Sequence, residues 1–317
     1  MQTILGASGQ IAHELARELK QVYTDDLRLV SRNPHKINDS DTIVKADLLD
    51  TLQTQDAVKG SQVVYFTAGL PANSALWERD FPTMLKNALD ASRKTGAHFV
   101  YFDNTYMYPQ NGNPQTEETH FAPKGRKGKV RALMARMVLE EMKRNEMPVV
   151  IGRAPEFYGP GKTQSYTNSL IIDQLKTKKK PRIPVSDSTL RTLIWTPDAS
   201  RALASLGNAQ DVFGQTWHLP CDDNRLTYKQ FVSLACEVFG LGAEYSVISK
   251  VILTMAGLFS KDAREMCELL TRYEQSNLFE STKFKRRFPD FAVTTYHQGL
   301  QNIFIEWKEA HTKELRS

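Results

Sequence analysis

The stretch GASGQIA, residues 6–12, decides the fold of this chain. It follows a short apolar run, TIL at 3–5, and opens QIAHELARELKQV, where apolar residues recur at helical spacing. The spacing is G-x-x-G-x-x-A. Gly6 permits a tight turn, Gly9 lets another group approach the backbone, and Ala12 is small enough for a helix to pack on a strand. Free N–H groups and the helix dipole make such a helix start attractive to anions, so a pyrophosphate is the expected ligand. A lone glycine motif is weak. One placed between the first strand and the first helix of an alternating chain has the context it requires.

Outward from that turn the alternation continues. LRLVS (27–31) reads as the second strand and TIVKAD (42–47) as the third, with a helix in LLDTLQTQDAVKG (48–60). SQVVYFTAG (61–69) is a fourth strand, and FPTMLKNALDASRKTG (81–96) a helix that Gly96 closes. HFVYFDN (98–104), the helical KVRALMARMVLEEMKRN (129–145) and MPVVIGRA (147–154) complete six strands. Strands that are continuous apolar runs separated by helices predict a parallel sheet covered on both faces. The expected fold class is therefore α/β, a doubly wound Rossmann sheet, with a smaller, mostly helical C-terminal lobe. Residues 1–160 form the expected nucleotide-binding domain, and 161–317 the substrate lobe, interleaved with the last strands. In that lobe TLIWTPDASRALASLG (192–207) reads as a strand running into a helix that Asp198 caps, QTWHLP (215–220) as a strand, and LTYKQFVSLACEVFG (226–240) as a helix starting near Thr227.

The end of the second strand selects the nucleotide. An acidic residue there serves NAD, and a basic one serves the 2′-phosphate of NADP. LVSRNP (29–34) puts Ser31 at the usual acidic position, with Arg32 next. Arg32 offers a bidentate fork for phosphate and a plane for stacking on adenine. NADP is the expected cofactor, with NAD the alternative.

Composition excludes other classes. The 317 residues carry a net charge of +5, and the densest basic run, KTKKKPR (176–182), reads as a solvated loop, so no nucleic-acid partner is expected. Cys221, Cys236 and Cys267 are scattered, which points to a reducing compartment and to neither a disulfide framework nor a metal site. The N-terminus has no signal-peptide pattern. The longest uncharged apolar run, VILTMAGLF at 251–259, is about half of a membrane span. A cytoplasmic protein with no membrane partner and a small-molecule substrate is expected. The Met and Leu stripes of 81–94 and 129–142 leave a homodimer open.

GASGQIA, KADLLD (45–50) and VVYFTAG (63–69) together resemble the short-chain dehydrogenase/reductase superfamily, in its extended and atypical branch of NAD-dependent epimerases and dehydratases. IGRAPEFYGPG (151–161) is similar to that branch's R-x-x-N-x-Y-G-P, and LIWTPDASRAL (193–203) to its downstream strand and helix. AGLFSKDAREM (256–266) and FESTKFKRRFPDF (279–291) fit its C-terminal lobe. The resemblance covers nearly the whole chain. It implies that Gly6, Ser8, Gly9, Gln10 and Ile11 line the pyrophosphate, and that Asp47 and Leu48 contact adenine. It also implies that Thr67 and Ala68 pass beneath the nicotinamide ribose and that RAPEF, with Pro155, closes over the nicotinamide side.

The resemblance also locates a departure. Its members carry Ser or Thr four residues before a Tyr, and DNTYMYP (103–109) has Asn104 there. Thr105 and Tyr106 follow, where dehydratase members carry an acid pair. Anchored on Glu117 and Pro123, the family's Tyr-x-x-x-Lys falls on KGKVR (127–131), so Lys127 replaces the tyrosine and Arg131 the lysine. Arg131 can hold ribose hydroxyls or an anion but stays protonated, so it is no proton shuttle. Lys127, on the same helix face at i, i+4, is left as a candidate acid. Cations at a helix start oppose the dipole, which a bound anion would explain. Two functions remain: an NAD(P)-dependent reductase of a small carbonyl or related compound, using Lys127, Tyr106 or water as acid, with Asn104 and Thr105 nearby; or an inactive NADP(H)-binding redox sensor or scaffold.

Overall fold

The computed structural model of the chain describes residues 1–161 and 163–314. Seven strands build one sheet: β1 (Gln2–Leu5), β2 (Leu27–Ser31), β3 (Thr42–Lys45), β4 (Val63–Phe66), β5 (His98–Asp103), β6 (Val149–Arg153) and β7 (Gln215–His218). Their order is β7-β6-β5-β4-β1-β2-β3, and every neighbouring pair is parallel. β1, β4 and β6 are buried at every residue, which is why they read as unbroken apolar runs. Helices α1 (Gln10–Glu18), α2 (Thr51–Val58), α3 (Ser74–Thr95), α4 (Gly125–Arg144) and α5 (Thr196–Gly207) connect them. This is the doubly wound Rossmann arrangement, with the strand order switching direction at β1 and β4.

The chain divides into two compact units. The first comprises Met1–Pro109, Thr119–Ala154 and Pro197–Leu219 and contains the whole seven-stranded sheet. The second takes Gln110–Glu118, Pro155–Thr196 and the described residues from Pro220 onward.

Within the first unit, three helix starts differ from expectation. α3 begins at Ser74, well before Phe81, because the Asn73 side chain accepts from the Leu76 N–H (3.2 Å) and caps it. Pro82 thus lies inside the helix. α4 begins at Gly125, four residues ahead of Lys129, so Lys127 and Arg131 both lie within helix. α5 starts at Thr196, with Pro197 and Asp198 in its first turn, where Asp198 pairs with Arg201 at 3.1 Å. Gly96 does close α3, in left-handed conformation at φ 67°. The apolar stripes of α3 and α4, including Leu85, Leu89, Met134 and Val138, are core.

The second unit pairs Glu156–Tyr158 with Leu193–Trp195 and Arg182–Pro184 with Ser246–Ile248, both parallel. Its longer helices are α6 (Tyr228–Phe239), α7 (Lys250–Phe259), α8 (Lys261–Cys267) and α9 (Tyr296–Glu314). Thr227 caps α6 in a reciprocal box with Gln230. Tyr158, Trp195, Phe231, Tyr296 and Leu300 centre an aromatic-rich core. The three cysteines are free thiols.

Candidate active site

The first βα turn needs Gly6. Its φ is +92°, and a Cβ there would lie 2.4 Å from Ala68 Cα. Thr67 and Ala68, at the end of β4, are thereby fixed against the turn, with Thr67 N–H donating to the Leu5 carbonyl at 2.9 Å. Gly9 is different. It caps α1 with ordinary backbone angles, and a Cβ there meets nothing closer than the Gly6 carbonyl at 3.6 Å. The protein's own packing therefore leaves room for a side chain at Gly9. No acidic residue stands in the first turn of α1, which leaves that end attractive to an anion. Ile11 and Ala12 face the core, and Gln10 is half-buried.

Beside this turn lies a cleft of about 240 Å³, lined by Gly6, Ser8, Ser31, Arg32, Asn33, Asp47, Leu48, Leu70, Asp80 and Met84, among others. Ser8 Oγ sits 2.8 Å from Ser31 Oγ and 3.2 Å from the Asn33 carbonyl. Asp47 accepts from the Leu49 N–H at 3.0 Å, which shapes the loop that presents Leu48. Arg32 is exposed at the rim. The sequence missed Asp80, on α3. Its carboxyl, paired with Arg79 at 2.6 Å, is held below the usual carboxylate range by that hydrogen bond. The structure thus gathers Gly6, Ser8, Arg32, Asp47 and Leu48 around one cleft. A dinucleotide's phosphates and adenosine fit these residues by chemistry: a side-chain-free helix start, hydroxyls, a cation and apolar walls.

At the end of β5 the chain turns sharply. Asn104 Oδ1 accepts from the Tyr106 N–H (3.0 Å), and the Tyr108 N–H donates to the Thr105 carbonyl (3.1 Å). Thr105 is buried, and Tyr106 stacks on Trp77 with the rings 11° from parallel. A Cβ on Gly128 would come within 2.9 Å of the Tyr106 carbonyl, so this turn and the first turn of α4 are in direct apposition. That apposition brings Asn104, Thr105 and Tyr106 beside the segment carrying Lys127, which is only 1% exposed. Arg131 lies one turn further on. Its guanidinium stands 4.6 Å from the Phe81 ring centroid and 5.2 Å from Trp77, with Nη1 3.5 Å from the Tyr101 hydroxyl. Pro155 belongs to the second unit.

Sequence reasoning also missed a buried polar chain behind this turn. Arg153 Nε donates to Asp103 Oδ2 (3.1 Å) and Nη1 to the Tyr108 hydroxyl (2.6 Å). That hydroxyl lies 2.8 Å from His218 Nε2. Burial pushes the Asp103 carboxyl up, against the pull of Arg153 and Arg131. Its only sequence signal was an aspartate ending an apolar strand. In the second unit, Glu156 stands where the similar family pattern has Asn. It accepts from Arg191 (2.9 Å), Thr167 (2.8 Å), Tyr228 (2.8 Å) and Tyr273 (3.3 Å). Among the described residues no group of three His, Cys, Asp or Glu is placed to hold a metal ion.

These features define an α/β chain of the doubly wound Rossmann class, with a cleft beside its first βα turn. The model of the NAD dependent epimerase/dehydratase family matches residues 3–216, and the chain belongs to that family. Among solved structures it is similar to a UDP-glucuronic acid 4-epimerase from Bacillus cereus in complex with NAD (TM-score 0.79, 15% identity, covering 98% of this chain and 100% of that one). It is similar too to a dTDP-glucose 4,6-dehydratase from Bacillus anthracis in complex with NAD (TM-score 0.79, 16% identity, 98% and 97%). A third is a nucleoside-diphosphate-sugar epimerase from Pseudomonas aeruginosa (TM-score 0.75, 18% identity, 98% and 97%). No curated protein matches the chain.

Proposed function

We propose that the chain binds NADP(H) in the cleft beside Gly6 and reduces a small carbonyl or related substrate, with Lys127 in the tyrosine's place. When bound, the cofactor supplies the hydride. Ser8, Ser31 and Arg32 would hold the 2′-phosphate, the open start of α1 the pyrophosphate, and Leu48 the adenine. Arg131, held by Phe81 and Trp77, would keep a fixed positive charge at the substrate end, and Lys127 would give the proton to the substrate oxygen. The observation that supports this role is the apposition of the Asn104–Tyr106 turn with the first turn of α4, the turn on which Lys127 stands. Nucleotide sugars are the substrates of the relatives' printed names. Loss of the Tyr-Lys pair makes ordinary sugar-nucleotide epimerisation the weaker expectation here.

The replacement of both dyad residues also supports a second reading, a cofactor-binding redox sensor without turnover. Titration with NADPH, NADP, NADH and NAD, followed by fluorescence, tests the shared part. Arg32→Ala should weaken NADPH at least about tenfold and leave NADH nearly unchanged, the loss of one bidentate charged contact. NADH preference in the wild type would reverse the nucleotide assignment. NADPH consumption across carbonyl substrates that Lys127→Met abolishes, with NADPH still bound, establishes the reductase. Tight binding with no consumption leaves the sensor.

A further inference from the structure

Helix α7, Lys250–Phe259, carries an apolar face left exposed by the described residues. Val251, Ile252, Met255, Leu258 and Phe259 are all exposed, from 58% to 89%. At about 100° per residue these five fall within an arc of roughly 120°. The opposite side fixes the helix: Leu253 packs with Met266 and Leu270, and the absent Cβ of Gly257 makes room for α8 at Cys267 and Arg264. The helix therefore has one face anchored in the second unit and one apolar face turned to solvent. Exposed apolar residues elsewhere among those described are scattered and do not form such a stripe.

The charges around this face are mixed with a cationic excess: Lys178, Lys179, Lys180, Arg182, Lys250 and Lys261 outnumber Glu244, Asp262, Glu265 and Glu274. Residues 246–261 contain no Asp or Glu, and Lys250 and Lys261 bracket the stripe. Pairing of Arg182–Pro184 with Ser246–Ile248 sets the exposed Lys178, Lys179, Lys180 and Arg182 at the start of the strand that leads into α7. Two of the cations are shared locally, Lys250 with Glu274 and Lys180 with Glu244.

We infer that α7 docks the protein on an anionic lipid surface. The stripe would lie in the headgroup–acyl boundary, with Lys250 and Lys261 and the 178–182 cations at the headgroups. The run is too short to cross a bilayer, and no described helix is long and apolar enough to do so. It is not too short to lie flat in one. A second copy of the chain is the competing occupant, which a lipid-free dimer would distinguish from a lipid surface.

The test is flotation of the full chain with vesicles of phosphatidylcholine alone and of equimolar phosphatidylcholine and phosphatidylglycerol. Binding should be confined to the mixed vesicles and fall in molar salt. Leu258→Glu/Phe259→Glu should lower it at least about tenfold. Lys178→Ala/Lys179→Ala/Lys180→Ala should lower it by a smaller factor. The substituted side chains are exposed, so thermal melts of the variants should match the wild type. Absence of binding to mixed vesicles, or binding that Leu258→Glu/Phe259→Glu leaves unchanged, overturns the inference. So does a lipid-free dimer that the same double substitution dissolves, which would make a second copy the occupant.

Discussion

Asp103 and Arg153 form an ion pair in which neither side chain is more than 1% exposed, joined at 3.1 Å between Nε and Oδ2. The pair ties the end of β5 to the end of β6, and Arg153 continues to Tyr108 in the turn that carries Asn104–Tyr106. Removing one partner leaves an uncompensated buried charge. Arg153→Met should cost about 3–5 kcal/mol in urea unfolding. Asp103→Leu/Arg153→Met together should cost clearly less than the sum of the single changes. Additive losses would show that the two side chains act independently.

Gly6→Ala tests the turn beneath the cleft. The substitution demands a left-handed backbone from alanine and places its Cβ 2.4 Å from Ala68 Cα. Strain of this kind costs about 1–3 kcal/mol, with overpacking against β4 in addition. The expected outcome is a lower melting temperature together with loss of dinucleotide binding. Gly9→Ala, which has space within the protein itself, should melt near the wild type and still bind dinucleotide poorly. Equal damage to stability at both positions would remove the distinction between them.

Glu156 predicts an acid dependence. Burial alone would push its carboxyl up, but Arg191, Tyr228 and Thr167 hold it below the ordinary glutamate value. A depressed carboxyl contributes stability that is present above the unfolded-state pKa and lost as pH falls through the folded one. Glu156→Gln should therefore destabilise most at neutral pH, by about 3–5 kcal/mol for a broken buried pair. The gap between variant and wild type should close below about pH 4. Denaturant midpoints measured across that range check it, and a pH-independent gap would mean that the carboxylate charge contributes nothing.

The sheet was legible because β1, β4, β5 and β6 are buried runs, and each is followed by a helix with its own apolar period. Gly6 was legible because its left-handed turn against Ala68 admits almost no other residue. The start of α3 was not: the cap that starts the helix, Asn73, lies in GLPANS (69–74), which has no helical apolar period and stands well ahead of the FPTMLKNALDASRKTG stretch. Asp103, Arg153, Tyr108 and His218 were illegible for another reason. They are 50, 45 and 110 positions apart along the chain, and only parallel pairing of β5 with β6 and β6 with β7 brings them together. The near-complete burial of Lys127 was not legible either, since the sequence reading started that helix only at Lys129.

Gly128 supplies the last prediction. Its α-carbon faces the Tyr106 carbonyl so closely that an added Cβ would sit 2.9 Å from that oxygen and 3.4 Å from the Pro123 side chain. The contact is with backbone, which cannot swing aside as a flexible side chain would. Gly128→Ala must therefore push the first turn of α4 away from the 104–108 turn. Overpacking of this kind costs about 1–3 kcal/mol. The cleft beside Gly6 is built from other elements, so NADPH affinity should stay near wild type. If Lys127 gives its proton across this apposition, turnover should fall well beyond what the stability loss explains, since small misplacements of an acid cost rate steeply. Measuring the melting temperature, NADPH affinity and NADPH consumption on the same preparation separates these effects. Undiminished turnover in a destabilised Gly128→Ala variant would place the proton donor elsewhere.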